Sequence, residues 1–387
     1  MPLRRALINA VNLIGAGPKS VGLGLLPSLL SAAPYVSFTV LLPEEWRAWK
    51  LDLPANAHLR YYVTKSGLWN DLERLKQLFF EVRRVAKETH ADVCLTLGDY
   101  PPVRLPCPHV VFLHNPLLVY SQQEMHGTGD WPRARRYYLR THFRLTAPRA
   151  DYLVVQTDVM ARRLIATYGI DSRKVAIIPQ PVPLHVASAG DVSAPSPLRS
   201  HQKPVKLTFL AAYYSHKNHA ILPAVASEMR RRGLADRVQI FTTIDLDRCS
   251  SESVKDCFRS YPDVITNLGA VKREHVASLL ADSSALFLPT ILESFGLIYL
   301  EAMAFGLPIL TSDRDFAHHM CGDLAQYFDP FDAKSIVDCI ERFCAWQKPD
   351  GYALKAKDGL LRFPPGWEAV AAKFLDLMRR AADPVAT

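Results

Sequence analysis

The sequence predicts an α/β protein made of two doubly wound parallel-sheet domains. Three observations carry this expectation. The chain has 387 residues, more than one ordinary domain of roughly 100–200 residues requires. Short apolar runs alternate with amphipathic stretches in both halves, as strands and helices alternate around a parallel sheet. Between the halves, residues 179–204 read PQPVPLHVASAGDVSAPSPLRSHQKP, rich in Pro, Ser and Ala and without periodicity. That composition marks a linker.

In the first half, strands are expected at 6–14, 37–42, 92–97, 109–113 and 152–156, with helices at 69–90 and 158–168 among those between them. In the second half, strands are expected at 205–211, 238–242, 285–289 and 308–311. Helices are expected at 218–233, 273–281 and 294–305, and a last amphipathic one from 366 to about 380. The domains are therefore 1–185 and 205–365, with a linker at 186–204 and a closing helix within 366–387. Two open α/β domains carry ligand sites at the carboxyl ends of their strands. The expected site lies in a cleft between them.

Composition narrows the partners. Hydrophobic residues make up 49% and charged residues 22%, ordinary for a globular protein. The net charge of +8 suits a phosphate-bearing partner: nucleic acid, an anionic membrane or a phosphorylated small molecule. No RNA- or DNA-binding module is recognisable, so no nucleic-acid partner is expected. The seven cysteines form no close pair and their number is odd. A reducing compartment fits better than a disulfide framework or a zinc site. Two stretches imitate membrane signals. Arg4 and Arg5 precede an apolar run, but Asn9 and Asn12 interrupt it, and a strand-to-loop turn is the better reading. Residues 20–43 carry no charge, yet Pro27, Pro34 and Pro43 divide them into a buried helix and a buried strand.

The densest chemical signal is LESFGLIYLEAMAFGLPIL, residues 292–310. Glu293 and Glu301 are separated by seven residues in a mostly apolar segment. The apolar strand before it is expected to end at Pro289, and a helix is expected to start near Ser294. A helix N-terminus offers unpaired N–H groups and partial positive charge, which hold phosphate. Gly296 allows close approach to the backbone. Glu293 is placed to reach into the cleft. A carboxylate such as Glu301 accepts two hydrogen bonds and can clamp a ribose diol. Either acid alone would read as an ordinary solvated or dipole-favouring glutamate.

PTILESFGLIYLEAMAFGLPILTSD resembles the signature of the retaining family 4 glycosyltransferases, an acid, seven residues and a second acid followed by a small-residue–Gly–x–Pro entry to a strand. Gly306, Leu307 and Pro308 match that entry. ADYLVVQTDVMARRLIATYGIDSRKVAIIPQPV is similar to the segment closing the family's first domain. CGDLAQYFDPFDAKSI and PPGWEAVAAKFLDLM are similar to the segment after the signature and to the helix that packs back on the first domain. The first 100 residues match only loosely. The resemblance implies the GT-B fold, two Rossmann-like domains facing across a cleft. It implies that Glu301 binds ribose hydroxyls and Glu293 hydroxyls of the transferred sugar. The amides of Gly296 and Leu297 would hold the diphosphate, with Ser294 and Phe295 in the same donor-binding turn. The family places an arginine and a lysine five apart after the first strand of its second domain. Lys217 matches the lysine, but Ala212 stands where the arginine belongs. Tyr213, Tyr214, His216 or Asn218 are the candidates to compensate.

Other residues are expected to contribute. In HVVFLHNPLL, His114 follows a buried strand, and the resemblance places it under the donor sugar, its backbone or ring accepting from a hydroxyl. Gly15 and Gly17 lie in a glycine-rich loop after the first strand, a poor dinucleotide fingerprint because Pro18 interrupts it. Arg133, Arg136, Arg140 and Arg144 fall on one helical face in a stretch that holds six arginines and no acid between Trp131 and Arg149. That face is either solvated or directed at an acceptor or an anionic membrane. The expected function is retaining transfer of a hexose (mannose, glucose or N-acetylglucosamine type) from a GDP- or UDP-linked sugar. The acceptor is a glycan or lipid-linked saccharide, as in bacterial surface polysaccharide or lipopolysaccharide synthesis. No metal or other cofactor is expected, because no DxD-type pair is offered. The expected location is cytoplasmic, or peripheral on the inner face of the plasma membrane. The alternative is a catalytically silent glycan- or nucleotide-binding protein of the same fold.

Overall fold

The computed structural model describes residues 3–14, 16–49, 51, 53–63, 80–99, 101–125, 133–183 and 204–383. The chain separates into two compact units. The first takes in Met1–Tyr120, Pro132–Pro181 and Pro364–Thr387, and the second Ser121–Trp131 and Val182–Phe363. Residues 121–125 thus group with the second unit, not with the first as the expected boundary at 185 implied. Arg314 Nη2 donates to the Glu124 carbonyl at 2.7 Å and ties them there. Of the expected linker, all but Pro204 lies outside the described residues.

The first unit holds β1 (Arg5–Asn9), β2 (Ser37–Pro43), β3 (Ala57–Tyr62), β4 (Val93–Leu97), β5 (His109–Phe112), β6 (Tyr152–Val155) and β7 (Val175–Ile177). They form one parallel sheet in the order β3-β2-β1-β4-β5-β6-β7. Its helices are α1 (Ala16–Ser31), α2 (Val82–Glu88), α3 (Arg133–Thr146) and α4 (Asp158–Tyr168), with the last helix of the chain. The expected strand 6–14 ends at Asn9. Beyond it the chain turns, Leu13 N bonding to Ala10 O at 3.0 Å, and Trp46 Nε1 donates to Leu13 O at 3.3 Å. The apolar run continued because this loop is buried, not because the strand is long.

The second unit holds β8 (Val205–Phe209), β9 (Val238–Thr242), β10 (Ile265–Asn267), β11 (Ala285–Leu288), β12 (Ile309–Ser312) and β13 (Ala325–Phe328). The order is β10-β9-β8-β11-β12-β13, again parallel. Its helices are α5 (Leu222–Arg231), α6 (Glu252–Ser260), α7 (Arg273–Ala281), α8 (Leu297–Ala304), α9 (Asp315–Cys321), α10 (Ala333–Ala345) and α11 (Tyr352–Asp358). The closing helix α12 (Trp367–Ala382) belongs to the first unit, where Trp367, Val370, Ala371, Phe374 and Met378 join the core. It packs on α1, and a Cβ at Gly24 would run into the Trp367 indole.

Both sheets reverse strand order at the same place, between the first and fourth strands of the unit: β1/β4 and β8/β11. Loops leaving the carboxyl ends of such a pair diverge to opposite faces and leave a ligand-sized crevice. No helix among the described residues is long and apolar enough to cross a membrane.

Candidate functional site

In the second unit, the loop after β8 and the loop after β11 leave the sheet at the point of reversal. They are joined by backbone. Ile291 N donates to His216 O at 2.7 Å, and Thr290 Oγ1 reaches the same carbonyl at 3.1 Å. The first loop forms a short turn at Ser215–Lys217, and Asn218 follows in the left-handed conformation at φ 64°. Asn218 Nδ2 donates to Pro330 O at 2.7 Å and anchors the turn. Lys217 is thus directed at the second loop, where its ammonium pairs with Glu293 Oε1. Thr290 Oγ1 donates to the same oxygen at 3.1 Å. Glu293 is only 8% exposed. The sequence reading named both charges but not their pairing, nor Thr290.

The expected helix at 294–305 begins later, at Leu297. Gly296 is its N-cap at φ 83°, and a Cβ there would lie 2.7 Å from the Tyr299 ring. Backbone and ring both require glycine at this position. Its N-cap residue has no side chain to cap it, and the Tyr299 N–H donates to Gly296 O at 3.0 Å. Ser294 and Phe295 lie in the preceding turn rather than in the helix. Phe295 is 1% exposed and packs edge-on against Phe363 at 5.7 Å, so it anchors the turn. Glu301, half-buried, comes one turn into α8 rather than two. The Tyr299 hydroxyl is 2.8 Å from Thr311 Oγ1, which donates to Leu288 O at 2.9 Å. That relay fixes the start of α8 against β11 and β12.

The position of the missing arginine is exposed Ala212. Of the residues expected to compensate, Tyr213 packs on the cluster of Ile244, Cys249 and Val254. Tyr214 stacks on His216 with centroids 5.5 Å apart, and Asn218 is engaged by Pro330. None of these contacts brings a second fixed cation beside Lys217.

His114 lies in the first unit, just after β5. Its backbone N–H donates to Asp99 Oδ1 at 2.8 Å, and that of Asn115 to the same oxygen at 2.9 Å. Burial lifts the Asp99 carboxyl to about 6, against the pull of these two amides. Burial lowers the His114 imidazole to about 3, so it is neutral at ordinary pH. Gln156 Nε2, at the end of β6, lies 3.1 Å from His114 Nδ1. His114 Nε2 and Gln156 Oε1 are buried without partners among the described residues. Asp99 and Gln156 were not among the expected residues, although Gln156 directly follows β6 and Asp99 comes two residues after β4.

Apart from Gly15, the remaining candidates are on α1 and α3. Gly17 is exposed in the first turn of α1 with open space at its Cβ position, and Gly15 lies outside the described residues. The arginines fall on α3 as expected, but the side chain of Arg133 lies outside the described residues. Arg140 Nη1 donates to Tyr120 O at 3.3 Å, and the Arg144 guanidinium sits 5.8 Å over the Tyr168 ring. Part of the stripe is therefore engaged within the unit. Among the described residues, no group of three or more His, Cys, Asp or Glu stands ready to hold a metal.

Two family models match this chain: glycosyl transferases group 1 over residues 197–357, and glycosyltransferase family 4 over residues 27–186. Among curated relatives, the O-antigen chain mannosyltransferase RfbU of Salmonella typhimurium is 22% identical over 207 residues, 54% of this chain and 55% of that protein. A D-inositol 3-phosphate glycosyltransferase of Geodermatophilus obscurus is 29% identical over 237 residues, 55% of this chain and 50% of that one. The chain thus spans about half the length of these two relatives. Among solved structures, WaaG, a glycosyltransferase involved in lipopolysaccharide biosynthesis, superposes at TM-score 0.67 and 17% identity over 97% of this chain and 99% of WaaG. A UDP-forming trehalose-phosphate synthase of Burkholderia xenovorans gives TM-score 0.70 at 12% identity over 100% of both chains. The two matched models and the two parallel sheets agree, and the chain belongs to the group 1 glycosyltransferases of GT-B fold.

Proposed function

We propose that this protein is a retaining hexosyltransferase that uses a nucleotide diphosphate sugar. The observation that carries this reading is the Lys217–Glu293 pair at the strand reversal of the second unit, beside the uncapped start of α8. A buried ion pair adds little stability by itself, because desolvation offsets the attraction. It suits a ligand that separates the two charges. Sugar hydroxyls would take Glu293, and the diphosphate would take Lys217 and the amides of Gly296 and Leu297. Glu301 would hold the ribose diol, with Ser294 in the same donor turn.

The chemistry follows. The bond between the anomeric carbon and the phosphate oxygen breaks, and the carbon gains positive character while the diphosphate gains negative charge. Lys217 and the helix amides stabilise the departing oxygen as charge builds. The acceptor hydroxyl attacks from the same face and gives its proton to that oxygen, so the configuration is retained. This reading assigns leaving-group stabilisation to protein groups and asks for no metal.

RfbU is named a mannosyltransferase, as is a relative from Mycolicibacterium hassiacum, 21% identical over 305 residues. These names support a hexose donor, and RfbU and WaaG support a role in bacterial surface polysaccharide. The acceptor would be a glycan or lipid-linked saccharide met by the first unit, with Arg136 and Arg144 of α3 facing it or an anionic membrane surface.

One observation favours a second reading, a catalytically silent binding protein. With alanine at position 212, the cation beside the site is already neutralised by Glu293. Incubation with GDP- and UDP-linked sugars without acceptor separates the two. Slow release of the nucleoside diphosphate supports the enzyme; binding by thermal shift with no release supports the silent protein.

A further inference from the structure

The end of β6 carries a buried polar side chain that this function leaves unused. Gln156 is 1% exposed, and its backbone is held on both sides. β6 pairs with β5 before it, Phe112 opposite Val154, and Thr157 after it caps α4 by accepting from Met160 N at 3.2 Å. A residue locked between a strand and a helix cap has a fixed side-chain origin. Its amide nitrogen lies 3.1 Å from His114 Nδ1. The His114 ring is fixed by other contacts too. The Phe112 ring packs on it with centroids 4.2 Å apart, and Phe374 of α12 backs Phe112 at 5.0 Å. Asp99 pins the backbone at 2.8 Å.

An amide nitrogen donates and does not accept, so Nδ1 must present its lone pair. A neutral imidazole has one N–H, which then sits on Nε2. That nitrogen is buried and has no partner among the described residues. Leaving a buried donor unpaired is costly, and such a group calls for a water, an ion or a ligand to complete it.

We propose that Gln156 is a positioning residue that holds His114 as its Nε2–H tautomer, so that His114 meets a substrate hydroxyl as a hydrogen-bond donor. The expectation was that the backbone or the ring accepts; here the ring donates. It rests on the proposed sugar transfer only for the identity of the hydroxyl; the tautomer stands on unit-one geometry alone. A donor at this place selects for a sugar oxygen with a free lone pair and against a neighbouring N–H.

The test reads the tautomer directly. The full chain is labelled with ¹⁵N in its imidazoles, and long-range ¹H–¹⁵N spectra assign His114 by comparison with His114→Phe. The wild type should show Nδ1 bare and Nε2 protonated. In Gln156→Glu the carboxylate accepts instead, and the proton should move to Nδ1. Gln156→Met, which keeps the volume, should give a mixture and covers the case in which the glutamate variant does not fold. A wild-type Nδ1–H, or a tautomer unchanged in both variants, overturns the proposal. In turnover of the nucleotide sugar that the wild type uses, Gln156→Glu should lower kcat on the order of 10- to 100-fold with KM for the donor little changed. Equal kcat in variant and wild type overturns it as well. A wild type that turns over no nucleotide sugar rejects the proposed function and leaves the spectra to decide the tautomer.

Discussion

The two strand reversals of this protein share a topology and differ in chemistry. At β8/β11 the loops carry opposite charges, Lys217 and Glu293, paired with each other. At the other sheet the loop after β4 carries half-buried Asp99, whose carboxyl accepts two backbone amides, and the neighbouring strand ends carry buried His114 and Gln156, hydrogen-bonded to each other. The difference is one of what each can release. The charged pair is internally satisfied and is exchangeable: an anion and a polyol can replace each partner. The neutral His114–Gln156 pair leaves His114 Nε2 and Gln156 Oε1 without partners among the described residues, and an added group would complete them. On the proposed function, the second unit would neutralise a leaving group and the first would orient an uncharged group.

The largest effect that sharpens this contrast is expected at Lys217. Replacing it with Ala should lower turnover about 100-fold or more, because no second cation stands at position 212. Binding of the nucleoside monophosphate should change far less. Steady-state rates and calorimetric binding on the same preparation check this; full activity in Lys217→Ala would erase the charged half of the comparison.

Next is Glu301→Ala. Loss of charge-assisted bonds to a ribose diol should weaken nucleoside diphosphate binding by about 2 kcal/mol, roughly 30-fold. Unchanged affinity in the folded variant removes Glu301 from the donor site.

Acid should disturb the buried neutral groups. Burial lowers His109, His114 and His219 to about 3. Each is therefore neutral in the folded protein and binds a proton on unfolding between about pH 6.5 and 3. Over that window stability falls as pH falls. Asp99, lifted to about 6, opposes this, because there the folded state holds the proton that the unfolded state loses. Three histidines against one aspartate leave a net acid loss. His219, whose ring stacks on Phe209 at 4.3 Å, is replaceable by Phe. His219→Phe should flatten the pH dependence by up to one proton, about 1.4 kcal/mol per pH unit. Denaturant melts at pH 4–7 would show it, and an unaltered slope would mean His219 is not buried neutral.

The smallest effect concerns α3. Reversing Arg136 and Arg144 to Glu should cost about 1 kcal/mol per residue in attachment to anionic vesicles, diminishing with salt, and spare donor hydrolysis. Cosedimentation that survives the reversal leaves the stripe a solvated face.

How much of this was readable beforehand follows the same division. Long, strongly apolar strands and periodic helices were legible: 158–168, 238–242 and 273–281 coincide with α4, β9 and α7. The edge strands were not. β3 is half-exposed along its length, and β7, β10 and β13 are short and mostly half-exposed, so no apolar run marks them. The charged site was legible because Glu293, Gly296 and Glu301 are close in sequence and unusual among apolar neighbours. The start of α8 was misplaced because Ser294 reads as a cap, whereas Gly296 in its left-handed conformation makes the turn. The neutral site was hidden because its parts come from residues 99, 114 and 156, and a single glutamine at a strand end carries no signal of its own.

The most direct measurement is hydrogen exchange of the full chain with and without nucleoside diphosphates and nucleotide sugars, GDP- and UDP-linked. The account predicts that one nucleotide series slows exchange at 213–218 and 289–301, and that this protection is lost in Glu301→Ala. Protection confined to the first unit, or none in either segment with any nucleotide at saturating concentration, would contradict it.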